Sequence, residues 1–514
     1  MHPRSRWWEA LTALPLLTCC LIPSRVVAAP PPPVITRPEA VTPWLLAAAT
    51  GRADVVCLGD SNQLLQSTGW DHGWIRALEA RFGLYATGLL SAGENAGNGA
   101  GSGYQYSVGG TSSIGQFQYQ GAPPVLDRFL QPGIGMAPLN YLYLPDGAAA
   151  GAGATYGFFI DRYSGIDVNA PLRFHLIHGT FETGSPGVFQ LTVRQGVAPY
   201  QTIAVAAPQF TVTGSFGIAE ATLDLPAATR ETYLNFRYSY FDQNIAGPFI
   251  AYYVRAENLA RPVGTALHTL YAYGGQSAHD MAEALRAADL SYLTLYFKNV
   301  RALQGPAPRI LVRINTGLND RNENLPSVQN GIAPGNSPEA VYDNLEAIVL
   351  RIREVWTAND WPEDELYFLF TLSHPVATPD DSLLVAYREQ AAALASVTPR
   401  CAAINLGSLT AWAEMRNNGW YLFGGFDTNH LTVTGYEALA ARELAALENG
   451  AAWRDLNGDR RIDAEDLYEW HRLRPDLDGD GIATYADLRA LQQAVRALEA
   501  DDTSDGIPSP LALP

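Results

Sequence analysis

The chain is poor in positive charge. Its 34 basic residues face 52 acidic ones, a net charge of −18. That balance disfavours non-specific binding to nucleic acid or to an anionic membrane surface. Lys298 is the one lysine and every other basic residue is arginine, which excludes chemistry that needs several lysines. Cysteine is equally scarce, with four in 514 residues. Cys19 and Cys20 fall in the first apolar run, so no disulfide framework holds the fold. Cys57 and Cys401 each sit in an apolar stretch and read as buried thiols, although export also permits a disulfide. No Gly-x-Ser-x-Gly occurs, which disfavours the nucleophile elbow of the α/β-hydrolases. Charged residues are only 17% of the chain and hydrophobic residues 47%, so global disorder is excluded. At about 100–200 residues per domain, the length suggests two to four domains.

The N-terminus reads as a secretory signal over residues 1–29. Arg4 and Arg6 precede an apolar run from Ala10 to Ile22, and the small residues Ala28 and Ala29 follow. The run is too short for a good membrane span and is interrupted by Pro15, with Pro23 just beyond it. No transmembrane span is therefore expected after signal removal, and the product is secreted or displayed at the cell surface. Pro30 to Pro33 open a Pro-rich linker over residues 30–53.

From Asp54 onward, short apolar runs alternate with helical patterns. Strands are expected at Asp54–Leu58, His268–Tyr273, Arg309–Asn315, Glu365–Thr371 and Cys401–Leu406. Helices are expected at Gly73–Phe82, Ala278–Ala287, Asp289–Leu303, Ser337–Trp356, Leu383–Ser396 and Thr434–Leu447. Five strands separated by helices imply one parallel sheet covered on both faces, built from residues 54–88 and 264–449. Between them, residues 89–263 show short alternating runs bounded by turn residues, such as Phe174–Ile177, Phe189–Val193, Phe210–Val212, Tyr233–Tyr240 and Phe249–Val254. That spacing reads as an inserted all-β module, a sandwich. Residues 450–500 form an acidic tail with two similar segments, and residues 501–514 read as disordered.

The first strand runs into Gly59-Asp60-Ser61-Asn62. In parallel sheets, ligands bind at the carboxyl ends of strands, so Ser61 is well placed for a nucleophile, and a helix cap is its plainer role. A serine hydroxyl needs a base. His430 follows the last strand in Asp427-Thr428-Asn429-His430; one helical turn would put both side chains on one side, where the carboxylate holds the imidazole. A negative transition state needs donors. Asn319, in Gly317-Leu318-Asn319-Asp320, offers a side-chain N–H, and Gly275 a backbone N–H where glycine permits close approach.

These blocks, in this order, resemble the SGNH (GDSL-type) hydrolases over residues 54–88 and 264–447. The resemblance implies a flavodoxin-like three-layer α/β/α domain that hydrolyses carboxylic esters. It makes Ser61 the nucleophile, His430 the base and Asp427 its orienting acid. The Ser61 and Gly275 N–H groups and the Asn319 side chain would form the oxyanion hole. No cofactor takes part in that chemistry. The long insert departs from the family pattern and could roof the cleft.

The tail resembles a dockerin-like pair of EF-hand calcium loops in a small helical unit. Asp455, Asn457, Asp459, Asp463 and Asp466, with the Arg461 carbonyl, fit the first loop. Asp476, Asp478, Asp480, Thr484 and Asp487, with the Ile482 carbonyl, fit the second. Alternating oxygen donors suit a hard cation of high coordination number. Gly481 stands at the sharp turn of the second loop, whereas Arg460 stands there in the first and implies weaker binding. A cohesin-like partner is the docking reading of such a tail, with a solvated acidic tail as the bland one.

The function expected is a secreted serine esterase that deacetylates carbohydrate. The choice of substrate rests on export, the β-module and the tail, which is analogy. The alternatives are a lipase or phospholipase-type acyl hydrolase, and a non-catalytic glycan-binding surface protein.

Overall fold

A computed structural model of the chain describes residues 34–60, 62, 70–88 and 90–91, strands and short turns between 106 and 272, and residues 277–288, 290–321, 337–452, 464–473, 488–489 and 491–492. The expected signal (1–29), the strand Phe210–Val212 and the disordered end (501–514) lie outside them. Among the described residues, no helix is long and apolar enough to cross a membrane.

The fold is mixed α/β: a largely parallel sheet with helices, joined to all-β sheets. Its strands are β1 (Ile35–Thr36), β2 (Arg52–Gly59), β3 (Gly264–Ala272), β4 (Ile310–Asn315), β5 (Leu366–Thr371) and β6 (Cys401–Ile404), ordered β1-β6-β5-β4-β2-β3. All neighbours pair in parallel except β1, which runs antiparallel along β6 at the edge. The order reverses at β2, which has β3 on one side and β4 on the other, so the carboxyl end of β2 lies where such sheets open a crevice.

The strands are continuous apolar runs because both faces are buried. Val55, Leu311, Leu369 and Ala402 enter one core with helices α1 (Thr42–Thr50), α2 (Trp70–Arg81) and, late in the chain, Val433–Ala452. Val56, Val312, Phe368 and Cys401 enter the other, with α3 (Ala278–Ala287), α4 (Leu290–Gln304), α5 (Pro338–Ala358) and α6 (Ser382–Val397). The Val433–Ala452 helix is α7. One charged pair crosses the first core. Arg313 of β4 meets Glu443 of α7 at 2.9 Å, and the same carboxylate accepts Trp74 Nε1 at 2.8 Å. Cys57 and Cys401 are buried in different cores, and no disulfide joins them.

The linker expected over 30–53 is corrected from Ile35 onward. Ile35 and Thr36 pair with Ile404 and Ala403, and Val41, Trp44 and Leu45 are buried. The linker expected from Pro30 to Pro33 ran on through Pro38 and Pro43, but each of these stands in the first turn of a helix, where a missing N–H costs nothing.

The insert contains two antiparallel sheets. One orders Gln201–Ala206, Phe189–Gln195, Leu234–Tyr240, Thr155–Ile160, Gln116–Gln120 and Tyr106–Ser107. The other orders Ile218–Leu225, Leu172–Gly179, Phe249–Asn258, Asn140–Leu144 and Val125–Arg128, with Leu90–Ser91 also on Phe249–Asn258. Phe174 from one stacks on Phe236 from the other at 4.9 Å. Residues 84–88 sew this module to the parallel sheet: Leu84 bridges Thr265 of β3, and Ala86 bridges Glu257. Beneath the seam, Asp54 of β2 accepts Tyr85 Oη at 2.7 Å and pairs with His268 of β3 at 2.8 Å. In the tail, helix α8 (Ala464–Leu473) packs Trp470 against Leu488 and Leu491.

Candidate active site

Three strands end level with one another. Gly59 of β2 pairs with Ala272 of β3 and with Asn315 of β4. The next residues along each strand therefore start from one rim of the sheet. Two residues named from sequence, Ser61 and Gly275, lie outside the described residues; those on either side of Ser61 are well anchored.

Asp60 is buried. Its Oδ1 accepts the backbone N–H of Asn62 at 2.8 Å, and its Oδ2 accepts one Asn319 Nδ2 hydrogen at 3.2 Å. Asn62 is buried too, and its side-chain oxygen accepts the Tyr436 hydroxyl from α7. Burial pushes the Asp60 carboxyl up to about 6, against the pull of the Asn62 N–H groups and of nearby His430. The end of β2 thus lies within electrostatic reach of the histidine named from sequence.

Asn319 rides on a turn that Asp320 closes. Asp320 Oδ2 accepts Gly317 N at 3.0 Å and Thr316 Oγ1 at 3.1 Å, and its Oδ1 accepts Ala278 N at 2.9 Å. Gly317 adopts φ +104°, which a side chain would resist. Ser277 caps α3 in a reciprocal pair with Asp280. The turn carrying Asn319 is therefore stapled to the first residue of the helix that follows Gly275. Burial lifts the Asp320 carboxyl to about 7, against its three donors and with a contribution from Asp60.

Asp427 and His430 meet as a pair: Asp427 Oδ2 lies 2.7 Å from His430 Nδ1. The helical turn expected here is corrected. Residues Asp427–Leu431 are extended and pair with Tyr421–Leu422. The carboxylate achieves the contact by accepting the backbone N–H of Asn429 at 2.9 Å and of His430 at 3.2 Å, an Asx turn that needs no helix. Burial alone would raise the Asp427 carboxyl. The His430 ring and the two backbone donors outweigh it and hold the carboxyl below its ordinary value. A carboxylate on Nδ1 fixes the tautomer in which Nε2 is the basic nitrogen.

Sequence reading passed over the residues that hold this segment. Arg321 Nη2 donates to Asn429 Oδ1 at 2.6 Å, and Nη1 meets Asp381 Oδ2 at 3.2 Å. Asp381 also caps α6 through Leu383 N at 2.9 Å. Buried His374, just beyond β5, donates Nε2–H to Thr428 O at 3.2 Å, and burial drives its ring down to about 3, hence neutral. Arg321 directly follows Gly317-x-Asn319-Asp320, and that adjacency was the available signal.

The calcium ligands expected in the tail lie outside the described residues, apart from the backbone of Asp466 in α8. Among the described residues, no group of three metal-ligating side chains occurs.

No family model matches the chain, and no curated protein matches it. Among solved structures, an arabinose-bound α-L-arabinofuranosidase is 13% identical over 67% of this chain and 58% of that one, with a TM-score of 0.32. The isomalto-dextranase of Arthrobacter globiformis T6, complexed with panose, is 12% identical over 27% of this chain and 23% of its own length, with a TM-score of 0.19. A family 35 carbohydrate-binding module from Clostridium thermocellum is 14% identical over 27% of this chain and 94% of that one, with a TM-score of 0.17. The chain thus spans under a quarter of the isomalto-dextranase, and likenesses this slight say nothing about activity.

Proposed function

We propose that the chain is an exported serine esterase of the SGNH type, acting on acylated carbohydrate. One observation carries this reading: an Asp427–His430 pair at 2.7 Å within electrostatic reach of Asp60, whose carboxylate also holds Asn319. Support comes also from the strand order. Counted along the chain, the parallel strands lie 2-1-3-4-5, with helices in both cores. That is the order of flavodoxin-like sheets, and the three-layer SGNH domain is our reading of it.

In this reading, Ser61 attacks the ester carbonyl while His430 Nε2 takes its proton. The oxyanion is held by Asn319 and by the Ser61 and Gly275 N–H groups. Asp60 fixes Asn319 by accepting one amide hydrogen, leaving the geometry of the other set by the same bond. His430 then protonates the leaving alcohol, and water repeats the sequence on the acyl-serine. The tail is read as a calcium-binding pair of loops that stabilises its own helices, with calcium playing no part in the acyl transfer.

Labelling with a fluorophosphonate probe tests the nucleophile. Wild type is expected to carry one adduct at Ser61, lost in Ser61→Ala and strongly reduced in His430→Ala. A chain that does not label, or labels equally in Ser61→Ala, contradicts the proposal.

A further inference from the structure

The segment leading into Asp427 carries an unusual hairpin. Leu422 pairs with Asp427, so Phe423-Gly424-Gly425-Phe426 forms the four-residue tip. The tip is closed by Phe426 N donating to Phe423 O at 3.4 Å. Both phenyl side chains stand in water: Phe423 is 75% exposed and Phe426 95%. Phe423 also adopts φ +50°, and Gly424 and Gly425 adopt +66° and +92°. A left-handed phenylalanine is strained, and exposed rings forgo burial. Neither cost is offset within the described chain. Among the described residues other than its chain neighbours, no heavy atom lies within 4 Å of a Cβ built at Gly424 or Gly425, so the tip is open to a flat ligand.

We propose that the Phe423–Phe426 hairpin is the subsite for the alcohol part of the ester, and that it stacks a neutral sugar ring. This rests on the esterase reading above, and it names which part of the substrate binds where. The hairpin is closed by the residue that orients His430, so a ligand on the tip lies beside the catalytic segment. Half-buried Asp427, Asn429 and Arg321 border the same strand, giving acceptors and a donor next to two aromatic faces. A sugar ring has that complementary shape: an apolar C–H face for an electron-rich ring and a hydroxyl edge for the polar groups. A long acyl chain needs a continuous apolar trough, and two phenylalanines parted by two glycines and followed by Asp427 do not make one. The excess of negative charge, with Asp380 and Asp381 near Arg321, disfavours an anionic lipid surface.

The test is calorimetric titration of an O-acetylated xylo-oligosaccharide into the full-length Ser61→Ala protein, which binds without turnover. Adding Phe426→Ala is expected to weaken Kd about tenfold, adding Phe423→Ala to weaken it further, and Phe426→Trp to restore it. In the catalytically intact background, the ratio of kcat/KM on the oligosaccharide to that on methyl acetate should fall in parallel. Unchanged Kd in Phe426→Ala, no restoration by tryptophan, or no oligosaccharide binding by Ser61→Ala would overturn the subsite. So would a loss confined to p-nitrophenyl octanoate hydrolysis, which would assign the hairpin to the acyl chain. Binding that depends on the rings in a protein without esterase activity would sink the esterase reading and leave the hairpin a sugar-binding site rather than an ester subsite.

Discussion

Replacing Arg321 by alanine separates the catalytic pair from the clamp that holds it. Arg321 is not expected to touch the reacting atoms, and p-nitrophenyl acetate carries no sugar ring for it to meet. It ties Asn429, between Asp427 and His430, to Asp381 at the start of α6. A buried charge-assisted hydrogen bond contributes about 1.5–3 kcal/mol net. Arg321 and its second partner Asp381 are 22% and 30% exposed, so solvent screening reduces that to about 1–1.5 kcal/mol. If the bond serves only to keep His430 aligned, its loss raises the barrier by that amount, or about tenfold in kcat. KM should change little. Arg321→Lys keeps the charge but not the two-pronged geometry and should recover only part of the activity. Asn429→Ala should match Arg321→Ala, and the double variant should be no slower than either single one, because both remove the same bond. Steady-state hydrolysis of p-nitrophenyl acetate reads all four proteins, with thermal melts as the fold control. Full kcat in Arg321→Ala, or effects that multiply in the double variant, would refute the reasoning.

Other outcomes follow from the same geometry. Asn319→Ala removes one oxyanion donor and should lower kcat by about 10²–10³, with Asp60→Asn milder because an acceptor remains. Burial holds His374 at about 3 when folded, against about 6.5 unfolded. The unfolded chain therefore binds more protons between those values, and stability should fall as pH drops from about 6.5 toward 3. Asp60 and Asp320, raised to about 6 and about 7, act in the opposite sense, their stabilisation being lost as pH rises from about 4 to 7. Chemical denaturation across that range in wild type and His374→Asn should isolate the histidine's single proton. Chelating calcium should shift a tail transition to lower temperature while p-nitrophenyl acetate turnover stays level; loss of turnover that calcium restores would contradict the assignment.

Much of the parallel sheet was legible because its strands are buried on both faces and so read as unbroken apolar runs. Leu366–Thr371 and Ile310–Asn315 are plain in sequence, and so is the Ser337-Pro338 start of α5. The insert was legible as β but not strand by strand. Gln116–Gln120 and Asn140–Leu144 sit among glycine-rich stretches that hide their alternation. Prolines misled at residues 30–53, since proline in a first helical turn looks like proline in a tether. At the site, the spacing of Asp427 and His430 suggested their contact, although the backbone that makes it is extended rather than helical. What Arg321 and His374 hold could not be read from sequence, because their partners, Asn429 and Thr428, are 108 and 54 positions away, and sequence spacing says nothing about which strand ends converge.

The most direct test of the central claim compares hydrolysis of p-nitrophenyl acetate with that of p-nitrophenyl octanoate, for wild type and Ser61→Ala side by side. The account predicts acetate hydrolysis by wild type that disappears in Ser61→Ala and does not rise with chain length. Full acetate activity in Ser61→Ala would contradict it.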